Sequence, residues 1–109
     1  MQSRICKVDK FIVPEAAREA FLNKVRMTHI LLRSMPGFKR DFVLEQVSGP
    51  GEFNYVTLVE WSDAAAIETA KAAVQKLHAQ IKFNPQEMFE RFGIKADLGN
   101  YRPIDMTVT

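Results

Sequence analysis

The hydrophobic period of this chain switches repeatedly between two and about 3.6 residues. The order of those switches limits its fold more than any other feature. Ile5 to Val13 reads as a strand, with Cys6, Val8 and Ile12 on one parity and Ile5, Phe11 and Val13 on the other. Pro14 stops it and suits the first position of a helix, where a missing N–H costs nothing. From Glu15 the residues Ala17, Phe21, Val25, Thr28, Leu32 and Met35 recur at three- and four-residue steps. That spacing predicts an amphipathic helix of about twenty residues, closed at Met35-Pro36-Gly37. Phe38 to Val47 is a second strand, with Phe38, Phe42 and Leu44 assigned to one face and Val43 and Val47 to the other. Ser48 to Glu52 holds two glycines and a proline and reads as a hairpin loop. Phe53 to Trp61 is a third strand, in which Phe53, Tyr55, Val59 and Trp61 oppose Val56 and Leu58.

Ser62 or Asp63 supplies the oxygen that caps a second helix, whose stripe is Ile67, Ala70, Val74, Leu77, His78 and Ile81. Asn84-Pro85-Gln86-Glu87 starts a short third helix that ends at Gly93, and Lys95 to Tyr101 is the last strand. Strand, helix, strand, strand, helix, strand is satisfied compactly by a split βαβ sandwich. The expected fold is α+β, ferredoxin-like βαββαβ: a four-stranded antiparallel sheet with both long helices on one face and the third strand in the middle.

At 109 residues the chain has room for one core, and residues 1–109 are read as a single domain. Fifteen basic against thirteen acidic side chains leave +2, too small a surplus to imply nucleic acid or an anionic membrane. The longest uncharged run, Phe53 to Val59, is seven residues, far short of the roughly 20 that a membrane helix needs. The first residues show no apolar signal segment, so the cytoplasm is the expected compartment. A single cysteine, Cys6, gives no intrachain disulfide and no cysteine-based zinc site.

Two helices cover one face of a sheet, yet the second and third strands carry large apolar side chains on both parities. An antiparallel sheet with one wet face alternates more strictly. Each fully buried side chain of this size is worth about 1.5–3 kcal/mol, so four or five left in water is a heavy cost. A second protein surface is expected over that face, and two-fold self-association is the commonest solution. The expected partner is an identical chain, in a homodimer joined through the sheet faces.

Four features in this order resemble the antibiotic-biosynthesis-monooxygenase-like group of dimeric α+β barrels. They are the Val13-Pro14 entry to a long helix, Met35-Pro36-Gly37-Phe38, Val59-Glu60-Trp61-Ser62-Asp63, and the short helix of Asn84 to Phe92. The resemblance spans nearly the whole chain. It implies a ferredoxin-like subunit, a sheet-to-sheet dimer, and a pocket between sheet and helices. It also implies either oxygenation of aromatic polyketides without metal or flavin, or haem degradation. This chain departs from the group's patterns. Ala70 stands nine residues after Trp61, where members often carry a histidine, and Thr57 stands four before it, where the polyketide oxygenases have asparagine. The haem-degrading branch needs an asparagine on the first strand and a tryptophan in the second helix, and this chain has neither. Fold carries over more firmly than activity.

His78, on the second helix's stripe, is the candidate catalytic base, since imidazole titrates near neutrality. Its bland counterpart is a core or boundary histidine. The substrate-binding candidates are Trp61, Tyr55, Phe42, His29 and Arg40. Trp61 would stack on a flat substrate, or else plug the core. Tyr55 would donate to a substrate oxygen, and Phe42 with Leu44 would form pocket walls. His29 would face His78 across the pocket or sit half-exposed on its helix. Arg40, sharing parity with Phe38 and Phe42, would reach inward to an anionic group. Two histidines without a third ligand make no metal site. No Gly-x-Gly-x-x-Gly is present, so no cofactor is expected.

The reading reached is a cofactor-independent monooxygenase acting on a small aromatic or polyketide-like molecule. The alternative is a non-catalytic small-ligand-binding or accessory dimer of the same fold. An RNA-binding module shares the element order, and Phe53, Tyr55 and Val56 partly mimic its stacking strand. Gly51-Glu52 replaces that module's Lys/Arg-Gly, however, and the first strand lacks the partner aromatic.

Overall fold

The computed structural model describes residues 4–107. Among these the chain forms four strands and three α-helices. β1 is Ile5–Ile12, α1 Arg18–Arg33, β2 Phe38–Glu45, β3 Tyr55–Trp61, α2 Ala64–Gln80, α3 Pro85–Phe92 and β4 Lys95–Tyr101. A 3₁₀ turn at Glu15–Ala17 follows Pro14 and opens α1. The sheet order is β2-β3-β1-β4 and every pairing is antiparallel, so β3 is central beside β1. This is the expected ferredoxin-like arrangement. Among the described residues no helix is long and apolar enough to cross a membrane.

Local chemistry sets the element ends. Asp63, not Ser62, caps α2 by accepting from the Ala66 N–H at 2.9 Å. Asn84 caps α3 through the N–H groups of Gln86 and Glu87, and Gly93 ends it in the left-handed conformation, at φ 69°. Asn54, just before β3, accepts from the Val13 N–H and donates to the Val13 carbonyl, each at 2.8 Å, tying down the chain beyond β1.

The helices cover one face through two separate clusters. At one end Phe11, Val13, Phe21, Leu22, Tyr55, Met88 and Ile94 pack together, with the Phe11 and Phe21 rings 4.9 Å apart. At the other end Trp61 packs with Leu32, Val59, Ile67 and Ala70. The buried side of α1 is Phe21, Leu22, His29 and Leu32, so its stripe is rotated to include Leu22 and also His29, which spacing had put at its edge.

One expected face assignment is wrong, and a β-bulge explains it. Phe38 pairs with Trp61 and Arg40 pairs with Glu60, so Lys39 is the extra residue. The insertion reverses parity along β2. Phe38 faces the helices, whereas Arg40, Phe42 and Leu44 pair with Glu60, Leu58 and Val56 on the opposite, open face. Asp41, Val43 and Glu45 take the helix-facing positions instead.

Candidate functional site

Strand register aligns the helix-facing residues in rows across the sheet. Glu45, Tyr55, Phe11 and Ala96 form one row, and Asp41, Val59, Lys7 and Asn100 another. Between them runs Val43, Thr57, Asp9 and Leu98. The two core clusters flank this middle row, and none of its residues belongs to either. Its centre is buried, with Thr57 at 6% exposure, while its ends are open, with Val43 at 42% and Leu98 at 60%. The row is therefore apolar and exposed at both ends and polar and covered at its middle. There the Lys7 ammonium meets Asp9 Oδ2 at 2.5 Å. Asp9 Oδ1 is buried and has no hydrogen-bond partner among the described residues.

Along the β2 edge α1 borders an open cavity of about 270 Å³ lined by Arg18, Leu22, Val25, Arg26, Val43, Leu44, Glu45 and Tyr55, so of the two expected walls Leu44 reaches it and Phe42 does not. Two polar groups stand along this seam. At one end the Tyr55 hydroxyl donates to Glu45 Oε2 at 2.5 Å, and Arg18 Nε reaches the same oxygen at 3.3 Å. The hydroxyl's hydrogen bond, then Arg18, hold the Glu45 carboxyl below its ordinary range, while burial and the carboxylate push the phenol up. Tyr55 thus keeps its proton but commits it to Glu45, so it does not stand free as a donor to a guest.

Farther along α1, His29 is 6% exposed and its Nδ1 lies 2.9 Å from Asp41 Oδ2. Arg33 Nε donates to the same oxygen at 3.0 Å. Burial pushes the Asp41 carboxyl up, but the Arg33 and His29 hydrogen bonds outweigh it and hold it below the ordinary range. With Nδ1 on this carboxylate, Nε2 is the other ring nitrogen of His29.

The other expected site residues lie elsewhere. Trp61 is 2% exposed and stacks edge-on against Phe38 at 5.9 Å, a core plug beneath α2. Phe42 is on the open face and is no wall of a helix-side pocket. Arg40 is there too: its Nε donates to Glu60 Oε1 at 2.8 Å, while Arg4 holds Oε2 at 2.8 Å. The Arg40 hydrogen bond keeps the buried Glu60 carboxyl below its ordinary range, against the opposing effect of burial. His78 is half-buried with its ring against Phe83 at 5.0 Å. Burial, then the nearby Lys24 ammonium, lower its pKa and keep its imidazole neutral. His29 and His78 thus have different partners. A second cavity of about 470 Å³ lies between α1 and α3, lined by Lys24, Phe83, Met88, Arg91 and Phe92 among others.

Sequence reasoning passed over Asp9, Lys7 and Asp41. The signal for the first two was present, since a charged pair sits in a strand at the parity of Phe11. Asp41 was hidden by the bulge. Among the described residues no group of three or more His, Cys, Asp or Glu is arranged to hold a metal ion.

A family model described as Antibiotic biosynthesis monooxygenase matches residues 4–80. No curated protein is a significant match to the sequence. Solved structures resemble the fold at low identity. The cofactor-independent oxygenase SnoaB from Streptomyces nogalater superposes with a TM-score of 0.65 at 19% identity, over 95% of this chain and 96% of that one. The heme-degrader MhuD from Mycobacterium tuberculosis, with two hemes in its active site, gives 0.69 at 20%, over 95% and 99%. A Nitrosomonas europaea protein assigned as an antibiotic biosynthesis monooxygenase gives 0.72 at 15%, over 99% and 97%.

Proposed function

The chain belongs to the antibiotic biosynthesis monooxygenase family, and from that premise we propose that it is a cofactor-independent monooxygenase acting on a small aromatic molecule held between the sheet and α1. The observation that carries this reading is the His29–Asp41 pair on the helix side of the sheet, a buried imidazole whose Nδ1 lies 2.9 Å from a carboxylate oxygen. His29, rather than His78, is then the base.

Oxygenation without a cofactor asks a protein for deprotonation, stabilised charge and seclusion from water. His29 Nε2 takes a proton from an activated ring carbon, and Asp41 stabilises the imidazolium that forms, as a carboxylate orients a histidine in hydrolytic triads. The substrate anion gives an electron to dioxygen, and the two radicals join in a new C–O bond. The resulting peroxide regains a proton from His29. Loss of water then leaves a ring carbonyl, so dioxygen is both the oxidant and the source of the inserted atom. β1 carries no asparagine, the residue that the haem-degrading branch uses there, which favours oxygenation without haem.

The reading includes a homodimer through the open face, where Val8, Ile12, Phe42, Leu44, Val56, Leu58 and Tyr101 lie together by register. SnoaB, a cofactor-independent oxygenase of similar fold, adds support for the activity.

Oxygen-electrode and product assays with anthrone and naphthol probes test the function. Turnover with oxygen uptake is expected, and His29→Gln should lower it by about 10²–10⁴, the usual contribution of a positioned base. Undiminished turnover in that variant removes His29 from the mechanism. A probe that binds and is never consumed assigns the fold to ligand binding alone.

A further inference from the structure

The cavity between α1 and α3 measures about 470 Å³, within the roughly 300–1,000 Å³ of small-molecule sites. It shares no lining residue with the cavity at the β2 edge, and neither His29 nor Asp41 lines it. Its lining divides by chemistry. The buried Met88 and the half-buried rings of Phe83 and Phe92 form the apolar part. Lys24, Lys82 and Arg91 bring three cations against one carboxylate, Glu87. That surplus of two positive charges equals the +2 of the whole chain, so the rest of the molecule is balanced around it.

Among the described residues none of these three cations is in an ion pair, whereas Arg4, Arg33 and Arg40 each hold a carboxylate. Two of the three stand over rings of the same lining. Lys24 Nζ is 4.6 Å from the Phe83 centroid, and Arg91 Cζ is 5.8 Å from that of Phe92. A cation–π contact holds a cation in place without cancelling its charge. The Lys24 charge is felt by a neighbour: after burial, it is what lowers the pKa of His78, whose ring packs on Phe83.

We propose that this cavity binds a planar aromatic carboxylate, with Lys24 and Arg91 as its charge partners and Met88 and Phe92 against its ring. The site is separate from the oxygenation reading and does not rest on it. A small inorganic anion would leave the apolar lining in water, and a neutral ring would leave the cations without a counter-charge. A flat apolar body carrying one carboxylate answers both, combining apolar burial with charge-assisted hydrogen bonds from the ammonium and guanidinium groups.

Calorimetry of the full-length protein at low salt with 2-naphthoate, its methyl ester and acetate tests this. The ester keeps the ring without the charge, and acetate keeps the charge without the ring. The naphthoate is expected to bind at least about tenfold more tightly than either, and more weakly as salt is added. Lys24→Gln combined with Arg91→Gln should lower its affinity about tenfold or more. Glu87→Gln removes the one like charge at constant size and should raise it about threefold. His29→Gln should leave it unchanged. Absence of naphthoate binding, or an ester or acetate that binds as tightly, overturns the proposal. Affinity lost in His29→Gln but kept in the double variant places the ligand at the other site and overturns it too. Should the double variant lose its circular dichroism signal, the ligand comparison and the Glu87→Gln gain decide.

Discussion

At the residue scale, environment outweighs residue type. Both histidines lie on helices near apolar positions, yet one is paired with a carboxylate and the other with an aromatic ring. His29 has Asp41 at 2.9 Å; His78 has Phe83 and the Lys24 charge. Burial and Lys24 both disfavour imidazolium, so the folded-state pKa of His78 lies below 6.5. The neutral ring therefore adds stability above its unfolded pKa, and that contribution is lost as pH falls through the lowered value. Lys24→Met is expected to raise the His78 midpoint, seen by NMR titration, without restoring it fully because burial remains. An unmoved midpoint would show that Lys24 does not act on it. Trp61 illustrates the same lesson. Its chemistry suited a stacking platform, but with 2% exposure and Phe38 against it, activity lost on substitution would report a damaged core.

At the scale of elements, the ends of β2 decide which groups meet the helices. Gly37 turns the chain from α1 into β2 at φ 85°, and a Cβ there would lie 2.5 Å from the Ala66 Cβ and 2.7 Å from the Ser62 Oγ. Backbone strain and overlap with α2 add, so Gly37→Ala should destabilise the fold by about 2–3 kcal/mol in urea unfolding. A change within a few tenths would mean that the junction adapts. The Met35-Pro36-Gly37 stop was legible because proline and glycine have few uses. The bulge two residues later was not, because Phe38 to Glu45 alternates acceptably in either register until β3 is beside it. One inserted residue moved Phe42 and Arg40 off the helix side and brought Asp41 onto it. Both changes of face follow from that single step.

At the scale of the whole molecule, the chain is a slab. Its dimensions are 49 × 38 × 17 Å and its radius of gyration is 15.0 Å, against about 13 Å for a compact chain of this length. The open face shows Phe42 at 49% and Leu44 at 51% exposure, and Ile104 and Met106 beyond β4 are still more exposed. Light scattering at micromolar concentration is expected to give twice the chain mass. Phe42→Glu with Leu44→Glu should give a monomer with unchanged circular dichroism, since both side chains are half-exposed within one subunit. A wild-type monomer would remove the dimer from the reading.

Element order, helix caps, the hairpin and the surplus of apolar strand residues were all written in the sequence alone, because each depends on neighbours within a few positions. Face assignment along β2, the committed proton of Tyr55 and the pairing of His29 with Asp41 were decided only by tertiary structure. Each of these joins residues on different elements, and the bulge and sheet register that set their meeting depend on strand partners distant in the chain.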